Sequence, residues 1–140
     1  MSFFDVLKSI LPHEKVYPVE LSNETFYPSL KNSTVPVIVD FYVEKSQPCS
    51  MVYSTLTKFA TDFKGRARVG AFNVAQDTDG KIIVPCKIKA VPTIGIFIKD
   101  EPVELLEGVA GYLKIQEAFE KAEEKINKKA VINNKIRRLL

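Results

Sequence analysis

The sequence predicts an α/β domain, a mixed central β-sheet flanked by helices, and three observations carry that prediction. Val35 to Val43 (VPVIVDFYV) is apolar at nearly every position, as expected of a strand covered on both faces. Strand-like and helix-like patterns alternate along the chain and end in a hairpin followed by a long helix. The chain has 140 residues, 46% hydrophobic and 26% charged. That suits one domain with a sizeable core.

The elements follow in order. Phe3, Val6, Leu7 and Ile10 recur at helical spacing, with Ser2 as a cap, and Pro12 ends that helix. Val16 to Leu21 reads as a short strand. Ser22-Asn23-Glu24 opens a helix that puts Phe26 and Leu30 on one face. Val35 to Val43 is the central strand. A helix is expected from about Cys49 to Phe63, with Met51, Val52, Leu56, Phe59 and Phe63 as its apolar positions and Gly65 as its stop. Arg68 to Val74 is a second buried strand. Asp77 to Gly80 turns the chain into a short helical segment, Lys81 to Ile88. Thr93 to Ile98 is a third strand, Asp100-Glu101-Pro102 a turn, and Val103 to Leu106 its antiparallel partner. Tyr112 to about Ile126 is the closing helix.

Composition excludes several classes. No stretch approaches the roughly 18 apolar residues of a membrane span. The N-terminal apolar run has neither a preceding basic residue nor a following small-residue cleavage site, so no signal peptide is expected. Two cysteines make no disulfide framework, and a cytoplasmic, reducing setting is the expectation. With one histidine, His13, in a loop and two cysteines, no zinc site is expected. The net charge is +3, but residues 121–140 alone carry +5 and the first 120 carry −2. The basic character belongs to the tail.

Five segments, in order, resemble the thioredoxin family over about Val19 to Ile126. Val39-Asp40-Phe41-Tyr42 is similar to the family's central strand with its buried aspartate. Lys45-Ser46-Gln47-Pro48-Cys49 stands where the family has Trp-Cys-Gly-Pro-Cys. Phe72-Asn73-Val74 resembles the next strand. Ile88-Lys89-Ala90-Val91-Pro92-Thr93 resembles the segment with a cis proline. Gly108 matches a glycine after the hairpin. The resemblance implies a thioredoxin-like fold with a cis Val91–Pro92 bond. It divides the chain into an N-terminal helical extension (1–15), a thioredoxin-like domain (16–126) and a basic tail (127–140). It implies no cofactor and no metal.

The departures from the family pattern shape the expected chemistry. Ser46 replaces the exposed attacking cysteine, Lys45 the tryptophan, Gln47 the glycine, and Ser54 a helix-kinking proline; Ala71 stands where a lysine is frequent. Disulfide exchange needs one thiolate to attack and a second thiol to resolve the mixed disulfide. A serine hydroxyl is too weakly acidic to attack without a base, so Ser46 reads as a hydrogen-bonding or capping residue. The resemblance puts Cys49 at the resolving position and gives Asp40 the role of assisting proton transfer there. Cys49 is then either a monothiol or a small buried residue without a partner, and Asp40 either a remnant or a tuning group. Val91 and Pro92 are either a peptide-binding groove or a turn the fold requires.

Two functions follow. One is a protein- or peptide-binding module that uses the groove beside Pro92, or a monothiol redox-related protein, in either case without dithiol turnover. The other is a thiol-disulfide oxidoreductase using Cys49 with Cys86 or an external thiol. The tail is either a docking helix, for an acidic partner, a membrane surface or nucleic acid, or a solvated and partly disordered end. It has no aromatic residue for base stacking, which counts against nucleic acid. The N-terminal helix is expected to pack on the domain.

Overall fold

The structure, a computed structural model, describes residues 2–10 and 14–140. Pro12, the expected helix stop, and His13 lie outside the described residues. The elements are α1 (Phe3–Ile10), β1 (Val19–Leu21), α2 (Phe26–Lys31), β2 (Val37–Tyr42), α3 (Gln47–Asp62), β3 (Arg68–Asn73), a 3₁₀ turn at Val74–Gln76, β4 (Thr93–Ile98), β5 (Glu101–Glu107) and α4 (Tyr112–Leu139).

The five strands form one mixed sheet in the order β1-β3-β2-β4-β5. β1 and β2 run parallel to β3, while β4 is antiparallel to both β2 and β5. The chain therefore delivers β2, buried on both faces, to the middle position. Side chains alternate across the strand. Ile38 joins the core under α3 and α4, with Val52, Leu56, Phe59, Ile94, Ile115 and Phe119. Val37, Val39 and Phe41 join the core on the other face, with Phe26, Leu30, Phe72 and Phe97. Each face has its own aromatic cluster. Phe59 and Phe63 stack at 4.3 Å and meet Phe119 edge-on at 5.5 and 5.4 Å. On the other face Phe26 touches Phe41, Phe72 and Phe97 at 5.3 to 6.0 Å.

Several expectations shift for physical reasons. β1 keeps only Val19–Leu21, because the backbone N–H of Val16 is taken by Thr61 Oγ1 at 2.9 Å instead of by a strand. α2 begins one turn later than Ser22, since Ser22 and Thr25 first exchange hydroxyl–amide hydrogen bonds of 2.8 and 3.2 Å. The segment 81–88 is not helical. Asp77, buried, accepts from the N–H groups of Ile82 and Ile83 at 2.9 and 2.7 Å, and Pro85 has no N–H to extend a helix. Successive turns result. Pro102 lies within β5 and not in a turn, which an edge strand tolerates, and a bulge between Ile96 and Phe97 accommodates it. Met51 is an exposed helix position, at 53%.

The two ends also differ from expectation. α1 is capped by Ser2, whose hydroxyl accepts from the Asp5 N–H at 3.3 Å. Its Phe3, Phe4 and Ile10 are 75%, 73% and 70% exposed, so these side chains are not packed on the domain. α4 does not stop at Ile126. It continues as one helix to Leu139, and residues 127–140 are all exposed. Good helix formers and the absence of Gly and Pro after Tyr112 allow this.

Gly95 has no room for a side chain. A Cβ there would come 2.7 Å from Phe97 Cε2 and 3.1 Å from Phe41 Cε2, inside the second aromatic cluster. Gly95→Ala is expected to destabilise the domain by about 1–3 kcal/mol. Urea unfolding with unchanged m-value measures it; an unchanged midpoint refutes the packing argument.

Candidate functional site

β2 ends at Tyr42, and a short loop leads through Lys45 to α3. Lys45 has φ 58°, a left-handed conformation that costs a side-chain-bearing residue roughly 1–2 kcal/mol. That turn aims the N-terminus of α3 back over the end of β2. Ser46 is the N-cap of α3, and its Oγ accepts from the Cys49 N–H at 3.3 Å. Its carbonyl accepts from the Ser50 N–H at 3.0 Å and from the Ser50 hydroxyl at 3.2 Å. Gln47 and Pro48 fill the first two helical positions, where proline's missing N–H leaves no acceptor unmet. Cys49 follows in the first turn, buried at 3% exposure, and its thiol is free.

Asp40 lies one residue row below. In register, Glu20, Ala71, Asp40, Ile94 and Leu106 form a single cross-strand row. Asp40 is fully buried between Ala71 and Ile94, and among the described residues neither carboxylate oxygen has a hydrogen-bond partner. Burial, and then the negative charge of Glu20, push its pKa up to about 7. The methyl group of Ala71 supplies no countercharge. Glu20 in turn accepts a 2.5 Å hydrogen bond from the Tyr42 hydroxyl. Desolvation and this bond drive the Tyr42 pKa well above its ordinary value.

Asp40, Ser46 and Cys49 line one cavity with Glu20, Tyr42 and Tyr53. Sequence reasoning missed the last three. Tyr42 was accessible from strand parity, being two residues beyond Asp40. Glu20 and Tyr53 come from β1 and from α3 one turn on, and no local pattern joins Glu20 to Asp40.

Pro92 is buried at the start of β4, after a cis peptide bond from Val91. Phe41 pairs with Thr93, so the Val91–Pro92 segment enters the sheet beside the end of β2 and the loop to Ser46. The Pro92 carbonyl accepts from the Gly108 N–H at 2.8 Å, and Thr93 Oγ1 donates to the Ala90 carbonyl at 2.6 Å. Among the described residues no backbone hydrogen bond engages Val91, which is 37% exposed.

Cys86 is not brought to this site. It is free and buried in the core that packs Phe26 and Phe41, on the face of the sheet opposite α3. Burial raises its pKa to about 11. The expected alternative of a Cys49–Cys86 couple finds the sheet between the two thiols. Among the described residues no group of His, Cys, Asp and Glu could hold a metal ion.

The arrangement offers one shielded thiol at a helix N-terminus and one buried carboxyl able to hold or release a proton near neutrality. Among the described residues it offers no second thiol beside the first.

Comparison with known proteins locates this architecture. The family model described as Thioredoxin matches residues 17–132. A thioredoxin of Griffithsia pacifica is 29% identical over 102 residues, covering 73% of this chain and 92% of its own. Thioredoxin 1 of a Nostoc species is 26% identical, covering 73% of this chain and 94% of its own. Among solved structures, chloroplastic thioredoxin z superposes with a TM-score of 0.67 at 23% identity, over 80% of this chain and 99% of that one. A variant thioredoxin from Halobacterium salinarum gives 0.66 at 20% identity, over 76% and 91%. These two share the fold.

The Asp40 carboxyl has a defined consequence for stability. Its folded pKa lies above the ordinary 3.8. Between those two values the folded chain holds a proton that the unfolded chain has lost. The stabilisation is fully present below about pH 4 and is lost as pH rises through about 7. Each pH unit inside that window removes up to about 1.4 kcal/mol. Asp40→Asn is expected to remove this component of the pH dependence. Urea midpoints of both proteins at about pH 5 and about pH 8 compare it; identical pH slopes would refute an orphaned, neutral Asp40.

Proposed function

The chain belongs to the thioredoxin family, and from that premise we propose that it is a protein- or peptide-binding member that does not turn over dithiols. The observation that carries this reading is the state of the helix N-terminus. Where the family's attacking thiolate would sit, Ser46 spends its oxygen capping the Cys49 N–H. The one thiol at the site, Cys49, is 3% exposed. A mixed disulfide formed at Cys49 would have no neighbouring thiol to resolve it. The Lys45-Ser46-Gln47-Pro48-Cys49 motif is therefore read as a structural cap and recognition surface.

Binding is assigned to the sheet end beside Pro92. An extended peptide gains affinity by pairing with unpaired backbone. Val91, part-exposed with its backbone unengaged among the described residues, supplies such a point. A reducing compartment such as the cytoplasm suits both free thiols.

A second reading has one observation in its favour. Asp40, with its pKa near 7, shares a cavity with Cys49 and could exchange a proton with that thiol. On this reading Cys49 is a monothiol oxidoreductase centre. It forms a mixed disulfide with a substrate disulfide, releasing one substrate thiol, and an external thiol such as glutathione then displaces the protein.

Reduction of insulin disulfides, with dithiothreitol as electron donor, separates the two. The native chain is expected to give the background rate, and Ser46→Cys to raise it at least about tenfold by restoring an attacking thiol at the helix N-terminus. A native rate above background that Cys49→Ala abolishes would replace the binding-module reading with the monothiol enzyme.

A further inference from the structure

We propose that the last turns of α4 form an interfacial helix that docks the domain on an anionic lipid surface. Residues 127–140 contain Lys128, Lys129, Lys135, Arg137 and Arg138 and no acidic residue. All fourteen are exposed. At about 1.5 Å per residue this stretch extends roughly 20 Å.

Within it, Ile132, Ile136 and Leu139 recur at i, i+4 and i+7 and so share one face of the helix. They are 56%, 50% and 86% exposed, so the domain leaves the stripe uncovered. At 100° per residue Lys128 and Lys135 fall on one flank of the stripe; Lys129 falls on the other, on the side of α4 that lines a cavity with Glu101 of β5. Their long stems allow the ammonium groups to stay at headgroup level while the aliphatic groups sink below it. Asn127, Asn134, Arg137 and Arg138 lie on the opposite face, which also carries Ala130, with Val131 at its edge. The nearest acidic partner is Glu124, which holds Lys128 at 3.2 Å in an exposed i,i+4 pair. Such a pair is weak and leaves the cation available.

Charge and side-chain type select the occupant. A second copy of this helix would bring +5 against +5. A nucleic acid would use the cations, but it has no place for an aliphatic stripe, and no aromatic side chain is present to stack on bases. A protein groove could take anchors at this spacing, but it would have to supply shaped pockets and acidic groups together, whereas the five cations with no acidic residue among them match a uniformly anionic surface. An anionic bilayer surface needs only cations flanking apolar side chains. The helix lies on that surface and does not cross it: among the described residues no helix is long and apolar enough to span a membrane.

Co-sedimentation of the full chain with vesicles tests this. The chain should pellet with phosphatidylcholine–phosphatidylglycerol vesicles, remain in solution with phosphatidylcholine alone, and be released by high salt. Combined Lys128→Glu, Lys129→Glu and Lys135→Glu should lower the vesicle affinity at least about tenfold. Ile132→Asp with Ile136→Asp should do the same, both variants keeping the wild-type unfolding midpoint. Absence of binding to the anionic vesicles would overturn the proposal, as would binding that either variant leaves unchanged. Loss of binding in Phe3→Asp/Phe4→Asp with the α4 variants unaffected would transfer the surface to α1. Capture of soluble polyglutamate without vesicle binding would replace the lipid with an acidic polypeptide.

Discussion

Burial of β2 on both faces is the constraint from which the rest of the architecture follows. A strand with Val37, Ile38, Val39, Asp40 and Phe41 all buried cannot lie at an edge or face water on either side. It needs a strand on each flank, which β3 and β4 provide, and a helical layer on each face. The two aromatic clusters are consequences of that sandwiching. So is the crossover α3, which must leave the end of β2, pass over one face and return the chain to β3 in parallel.

The same constraint creates the site. Ordinarily a carboxylate at the middle of such a strand would be paired or hydrogen-bonded. Here the neighbours in its row are a methyl group and an isoleucine, and the charge that acts on it is the carboxylate of Glu20, which raises its pKa further. Neutralisation relieves Asp40, and below about pH 7 the fold favours a proton on it, beside the helix that carries Cys49. Ser46 completes the arrangement from the outside, as a hydroxyl answers a helix N-terminus without introducing charge. The candidate site thus combines a buried titratable carboxyl, a shielded thiol and a serine as the helix N-cap.

Much of this was legible in the residues. Continuous apolarity identified β2, 3.6-residue spacing identified α3 and the body of α4, and the Ser-x-Pro-Cys and Val-Pro-Thr segments pointed to the sheet end where the site lies. What escaped had non-local causes. Glu20 reaches Asp40 only through the β1–β3–β2 register, which nothing in the sequence around residue 20 encodes. Residues 81–88 carry helix-compatible spacing, but the carboxylate of Asp77 captures the two amides that a helix would begin from. Pro102 signals a turn locally, yet it sits harmlessly in an edge strand beside a bulge. The continuation of α4 was visible only in part: apolar residues keep a helical spacing through the tail, but no buried face fixes it, so the sequence left a helix and a disordered end both open.

The borders of the sheet carry a further implication. β1 is three residues long, too short to template an incoming strand. β5 carries Glu101, Glu104 and Glu107, lacks the N–H of Pro102 and is bent by its bulge. Both borders are thereby poor sites for strand addition, whether by another copy of this chain or by an unfolded one. The mixed sheet is protected from growing sideways into fibrillar stacks, and the protection resides in the two strands that contribute least to the core.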